Sequence, residues 1–553
     1  MCGIFAILTN NSDLFNDKRE YKKILYNFHK GSSRGPDNSK VLTINSNILF
    51  GFHRLSINGL DEISNQPIIH DGIYLICNGE IYNYKQIFKS LNYEPITNSD
   101  CEAIIALYKK YGIKYTIENL DGVFSFVLYD SKNKKGFVVR DPYGVRPLYF
   151  GLDNDSICFS SLLKQINELY DKCYNFKAGT CCNFEINNNK FSVINDFKYT
   201  TFNYVDPIFT SNHIAKDVYE SIYKNIYLYL EQAVKKRVVT MDTDMACLLS
   251  GGLDSSLITS LVSQYVPSGT LKTYSIGMSG GSDLEYAKMV SSHINSKHTE
   301  IILTEEEFFN AVNDVIYNIE SYDTTTVRAS VGNYLVSKYI SDKSNAKVIF
   351  NGDGSDELTG GYMYFHNCPS DIEFDHECKR LLEEIQYFDV LRSDRTISCH
   401  GLEARTPFLD RTFVNYYLSI PIQIRNHNNG NQMEKYLLRK AIEVMNPNLL
   451  PSKVLWRSKE AFSDGVSSHK KSWFEILKEN IESKYDDLEF NTLSNKYEIN
   501  KPTTKEQLYY REIFEYHYPN KSSVIPHFWM PKYSNTNDSS ARTLDVYKEK
   551  NIT

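Results

Sequence analysis

At 553 residues, 42% of them hydrophobic and 13% aromatic, the chain is too long for one core and apolar enough for two or more, since single cores rarely grow beyond ~250–300 residues. A formal net charge of −7 excludes a polybasic nucleic-acid binder. No run reaches the ~18 apolar residues of a membrane span, and the start lacks the basic flank and cleavage site of a secretory signal. The expectation is a cytoplasmic protein with no membrane and no nucleic-acid partner. Eleven cysteines, without C-x-x-C pairs or zinc-type His spacing, read as reduced, mostly buried residues.

The chain opens "MCGIF". One reading makes Cys2 the small first residue of an apolar strand. The other removes Met1, so that Cys2 carries a thiol beside a free α-amine of pKa ~7.7–8.0, which can serve as its base. The first ~200 residues then read as short strands. "GVFSFVLYD", "SKNK" and "KGFVVRD" predict a buried hairpin ending at Asp141. In "DCEAIIALYKKYG" the apolar residues recur at helical spacing. This is the pattern of an α+β domain with sandwiched antiparallel sheets.

After "YVDPIF" (204–209) the texture changes, which sets a boundary near 205: one domain over 1–205, a second over 206–553. An amphipathic helix is predicted across 213–238. Apolar strands then alternate with helical stretches, the mark of an α/β doubly wound parallel sheet with ligands at the carboxyl ends of its strands. "TEEE" (304–307) reads as a dipole-favoured helix start.

The strongest local signal is "MACLLSGGLDSSLITSLV". A buried strand ends at Leu249, Ser250, Gly251 and Gly252 turn tightly, and Ser255 and Ser256 open a helix. Backbone N–H groups and the helix dipole converge there on an anion. Asp254 fits such a site if it holds a metal that a pyrophosphate also binds. No G-x-x-x-x-G-K-[ST] occurs. The loop resembles that of the N-type ATP pyrophosphatases, which implies attack at the α-phosphate. "GMSGG" (277–281) also fits G-x-S-x-G, but a second strand-to-helix loop of the same sheet explains its glycines.

Taken in order, "MCGIF", "RGPD" (34–37), "HRLSI" (53–57), "NGEIYN" (78–83) and "SDCE" (99–102) resemble the class II, N-terminal-nucleophile glutamine amidotransferases. "SGGLDSS", "YDTTTVRAS" (322–330), "GDGSDELTGGYMYFH" (352–366), "GLEARTPFLD" (401–410) and "WRSKEAFSDG" (456–465) resemble the synthetase domain of the eukaryotic-type, glutamine-hydrolysing asparagine synthetases. The resemblance covers essentially the whole chain. It implies that Cys2 attacks the glutamine amide, with Asn78 and the Gly79 N–H as oxyanion hole, a role worth ~2.7–4 kcal/mol per donor. Arg54 would hold the glutamine carboxylate, Glu80 and Asp100 its ammonium, and Leu55 and Ile57 would offer carbonyls. ATP would lie on Leu249 to Ser256, with adenine near Ile276 and Gly352. Asp254 and Asp356 would bind Mg²⁺, Lys459 would meet the α-phosphate, and Arg328 would line the tunnel or the nucleotide side. The implied substrates are glutamine, aspartate and ATP, with Mg²⁺; a homodimer is left open.

Three positions depart from the family pattern: Ser33 for His, Asn351 for Ser, and Asp353 for a Glu used in catalysis. Asp353 keeps the acid but is shorter by one methylene. Two other enzyme readings compete. "RDPYGVRPL" (140–148) also resembles amidophosphoribosyltransferases, which lack the pyrophosphatase loop, and β-lactam-forming synthetases usually depart at the Cys or the glutamine pocket. A decayed, non-catalytic sensor is the reading from another class, and Asp353 is its best support.

Overall fold

The computed structural model describes residues 1–202, 216–460, 465–467 and 471–545. The boundary expected near 205, the start of the helix expected from 213, and residues 461–464 of "WRSKEAFSDG" lie outside them.

Alternation along the first strand, Gly3–Thr9, sets the architecture of the amino-terminal half. Ile4, Ala6 and Leu8 face a core shared with Phe50, Ile76, Val127 and Val138, while Phe5 and Ile7 pack on the other side with Phe28 and Leu163. Side chains alternate with period two, so a strand apolar at every position must be covered on both faces. The strand lies in one of two six-stranded antiparallel sheets; the other sheet covers one face, and helix Lys18–His29 with the segment around Leu163 covers the other. One runs in the order Lys172–Asn175, Tyr149–Leu152, Ser156–Ser160, Gly3–Thr9, Ile48–Arg54, Asn38–Asn45. The other runs Lys190–Lys198, Thr180–Asn187, Lys135–Arg140, Gly122–Asp130, Ile73–Ile81, Ile68–His70. Helix Glu102–Asn119 covers the second sheet with Ala103, Ile104 and Leu107, beside Leu75, Cys77 and Phe126. The predicted hairpin forms, Gly122–Asp130 pairing with Lys135–Arg140. Each buried Leu, Ile or Phe contributes ~1.5–3 kcal/mol, so a one-residue slip of a strand would be severe. That fixes the pairing of Gly3 with His53, which sets Cys2 beside Arg54 and Leu55.

In the second half, helix Lys216–Val238 buries Ile222, Ile226, Leu230, Ala233 and Val234, a single helical stripe. A five-stranded parallel sheet follows in the order Lys297–Ile302, Lys272–Gly277, Met245–Leu248, Val348–Phe350, Glu403–Arg405. The chain enters at the centre, winds to one edge, then resumes on the other side. The switch lies between Met245–Leu248 and Val348–Phe350, where a doubly wound sheet opens a crevice for ligands. The helix start expected at "TEEE" forms, and the structure adds a capping box between Thr304 and Glu307. All eleven cysteines are free. Among the described residues no helix is long and apolar enough to cross a membrane.

Two candidate active sites and the charged layer between them

Cys2 sits at the seam of the two halves. Its Sγ lies 3.6 Å from the Leu55 carbonyl, and its own carbonyl accepts from Arg34 Nε at 2.8 Å. Burial pushes the thiol up to about 11. The Met1 amine is buried too, donates to the Leu402 carbonyl at 2.8 Å, and is pushed down to about 5 by desolvation. With Met1 in place Cys2 therefore has no amine of its own and remains a thiol.

Around Cys2 the strand ends bring the expected residues together. Asn78 is fully buried; its Nδ2 reaches Ser161 Oγ at 3.5 Å and its Oδ1 has no partner. Ser161 in turn accepts from the Ile4 N–H at 3.0 Å, which ties Asn78 to the strand bearing Cys2. Gly79 follows in the same strand, pairing with Phe124; a Cβ there would lie 2.4 Å from the Val123 carbonyl. The Arg54 guanidinium is ringed by the carbonyls of Asn58, Gly59 and Asp61 and by Asn65 Oδ1. Glu80 Oε2 accepts from Asn58 Nδ2 at 2.6 Å, and Asp100 from the Ile81 N–H at 2.6 Å. Burial raises both carboxyls, Glu80 well above its ordinary range, with Glu403 and Asp100 adding to it, and Asp100 to about 6. The Ile57 carbonyl is taken by the Asp242 N–H at 2.9 Å. Ser33, where the family pattern has His, is exposed.

The second site is a cavity of about 250 Å³ at the carboxyl ends of the parallel strands. Leu249, Ser250, Gly252, Asp254, Ser255, Ile276, Gly352, Asp353, Asp356 and Lys459 all line it. Gly251 adopts φ 77°, and a Cβ would meet Ala287 N at 2.5 Å, so this turn requires glycine. Gly352 admits the second loop against the first: its Cβ would fall 2.7 Å from Asp254. Helix Leu253–Ser263 starts at Gly252 without a side-chain cap, leaving first-turn N–H groups for an anion. Ser256 is buried one residue beyond the lining.

Arg328 does not reach this cavity. Its helix, Thr324–Lys343, lines it with Thr325, Thr326, Ala329 and Asn333, while the Arg328 guanidinium binds Glu506 at 2.7 Å and Asp538 at 2.8 Å. It fastens the carboxyl-terminal segment. Ser279 of "GMSGG" is exposed in the loop after strand Lys272–Gly277.

The most important residue that the motifs did not disclose is Lys435. Its buried Nζ lies 2.5 Å from Asp254 Oδ2 and 2.6 Å from Asp356 Oδ1, while Lys459 Nζ lies 2.6 Å from Asp356 Oδ2. Burial alone would raise the Asp356 carboxyl, but the two lysines hold it well below the usual carboxylate range. Lysine in a polar loop carries no signal of its own; here it adopts φ 60°, next to Glu434. Glu434 accepts from Arg439 Nη2 at 2.7 Å and from the Lys459 N–H at 3.0 Å, so one short segment positions both lysines. Asp353 accepts from Arg392 Nη2 at 2.9 Å, and burial pushes its carboxyl up to about 6 against the pull of Arg392.

A buried layer of charge separates the sites. Arg34 and Arg146 from the first half meet Asp394 at 2.6 and 3.7 Å, and Arg146 also meets Glu403 at 3.4 Å. Arg405 reaches back to Glu80 at 3.2 Å and to Glu403 at 3.0 Å. Arg395 also meets Asp394 at 3.3 Å, so arginines and carboxyls alternate through this layer, as burial requires.

Comparison with known proteins agrees with this geometry. A glutamine amidotransferase domain family matches residues 1–197 and the asparagine synthase family matches 225–373 and 368–542. An asparagine synthetase (glutamine-hydrolysing) of Gallus gallus is 44% identical across 99% of both chains. This chain belongs to the asparagine synthetase family. The Homo sapiens enzyme of that name is 42% identical, again over 99% of each chain. Among solved structures, a glutamine phosphoribosylpyrophosphate amidotransferase from B. subtilis covers 45% of this chain and 60% of its own, at 18% identity and a TM-score of 0.29, too loose a likeness to argue from. Family members share both halves, so the two sites belong to one design.

Proposed function

We propose that the chain is a glutamine-dependent asparagine synthetase, with a glutaminase domain over 1–205 and a synthetase domain over 206–553, acting in the cytoplasm. The observation that carries this reading is the match over 99% of both chains, which spans both sites.

With Met1 removed, the free amine of Cys2 takes the thiol proton as Sγ attacks the amide carbon of glutamine. Asn78 Nδ2 and the Gly79 N–H receive the developing oxyanion. The same proton leaves on ammonia, and water hydrolyses the thioester to glutamate. Arg54 pairs with the substrate carboxylate, and Glu80 and Asp100 with its ammonium. Ammonia then crosses the charged layer as the neutral base.

In the cavity an oxygen of the aspartate β-carboxylate attacks the α-phosphorus of ATP, and the bond to pyrophosphate breaks. The first-turn N–H groups behind Gly252, with Lys435 and Lys459, take up the phosphate charge. Ammonia attacks the acyl carbon, the bond to AMP breaks, and Asp353 accepts the surplus proton. Asp254 and Asp356 suit Mg²⁺, which is commonly held by one or two carboxylates plus substrate phosphates, and which would neutralise pyrophosphate charge when bound. The test is to incubate purified protein with ATP, aspartate and amide-¹⁵N glutamine. Labelled asparagine with equal AMP and pyrophosphate is expected; glutamate without asparagine overturns the reading.

A further inference from the structure

Asp353 lines the synthetase cavity on a side chain one methylene shorter than Glu, and the structure holds the turn that carries it in place. Asn351 follows strand Val348–Phe350 and is 4% exposed. Its amide spans two elements. Nδ2 donates to Ser393 Oγ at 2.7 Å, and Oδ1 accepts from the Asp353 N–H at 3.4 Å. Ser393 lies on helix Asp389–Ser398, which also supplies Arg392 to Asp353 and Asp389 to the Gly354 N–H at 3.3 Å. The turn Asn351-Gly352-Asp353 is thus fastened to that helix at both ends. Asp353 Oδ2 is left buried without a hydrogen-bond partner, available to a reactant.

We propose that Asn351 is a positioning residue: its two contacts, to Ser393 and to the Asp353 N–H, carry the shortened Asp353 carboxylate to the reacting atoms. Serine at 351 would be too short to make both contacts. Glutamate at 353 would reach farther by one methylene, and would overshoot while Asn351 holds the turn. Asn351 and Asp353 therefore form a matched pair. The inference rests on the synthetase reading above; if that reading fails, the parent protein makes no asparagine from ammonia at all.

The experiment is a double-mutant cycle with saturating ammonia, measuring kcat and the KM for aspartate in the parent, Asn351→Ser, Asp353→Glu and the double variant. Each single change should lower kcat by ~10-fold or more, since misplacement near 1 Å can cost ~10²-fold. The KM for aspartate should move less than about threefold, and the double variant should recover to within about threefold of the parent. Ser393→Ala removes the anchor, and with it the Ser393 contact to the Asp353 carboxyl, while leaving residues 351–353 intact. It should lower kcat at least as much as Asn351→Ser does, and a parent-like kcat there overturns the proposal even if Asn351→Ser does not fold. A parent-like kcat in Asn351→Ser or Ser393→Ala, or losses that multiply in the double variant, would overturn the proposal.

Discussion

Replacing Lys435 by Met tests the electrostatic frame of the synthetase cavity. The substitution keeps a long apolar stem but removes an ammonium lying 2.5 Å from Asp254 and 2.6 Å from Asp356. At an effective dielectric constant near 20, each contact is worth ~6–7 kcal/mol before desolvation. What remains is Lys459, 2.6 Å from Asp356 and 3.9 Å from Asp254, a single cation for two carboxylates. Breaking a buried pair by removing one partner typically costs ~3–5 kcal/mol. The Lys435 side chain is 1% exposed and the carboxylates 16% and 17%, which favours the lower end, ~3 kcal/mol. The assay is urea denaturation of the ligand-free protein, paired with pyrophosphate release from ATP and aspartate. The expected result is a lower denaturation midpoint with synthesis reduced ~10²-fold, while Lys435→Arg keeps part of the stability. An unchanged midpoint in Lys435→Met would show that the two ion pairs stabilise nothing and refute the reasoning.

Four further outcomes follow from the same geometry. Cys2→Ala should abolish glutamine-dependent synthesis and leave ammonia-dependent synthesis within about twofold, and intact-mass analysis of active protein should show Met1 absent; loss of both activities in folded Cys2→Ala would contradict separate sites. Asp100, raised to about 6 in the fold, is neutral below that pH, so kcat/KM for glutamine should fall as pH drops through 6, and Asp100→Asn should flatten that limb. The signs for stability are opposite at two carboxyls. Asp100, raised from an unfolded value of ~3.9, makes the native state less stable as pH rises from ~4 to 6, whereas Asp356, depressed in the fold, contributes stability above ~4 that is lost as pH falls through its lowered value. Asp353→Asn should cut asparagine formation from ammonia by ~10²-fold or more and erase an acid limb near pH 6; parent-like activity would remove Asp353 from the mechanism.

The sequence alone determined the parts whose physics is local. The continuous apolar runs in "GVFSFVLYD" and "KGFVVRD", the helical stripe expected across 213–238 and described from 216, and the Gly-rich turn behind "MACLL" each depend on neighbours a few residues away, and each formed as expected among the described residues. Ordered motifs in both halves disclosed the family, because a nucleophile at Cys2 and a phosphate loop at Ser250 seldom share one chain by chance. Only the tertiary structure decided which charges meet. Lys435 lies 181 residues from Asp254, and nothing in "NQMEKYLL" marks it as the partner of two aspartates. Arg328 stands in a motif that pointed to the tunnel or the nucleotide side, yet helix Thr324–Lys343 turns it toward Glu506 and Asp538, because one helix presents successive residues to different surroundings. Arg34 and Asp394 are 360 residues apart and meet at 2.6 Å because a single apolar core, running from Phe5 and Phe28 to Leu391 and Ile397, joins the two halves there. Periodicity reports which face of an element is buried, but the partner of a buried charge is set by packing between elements, and that packing leaves no mark on either segment alone.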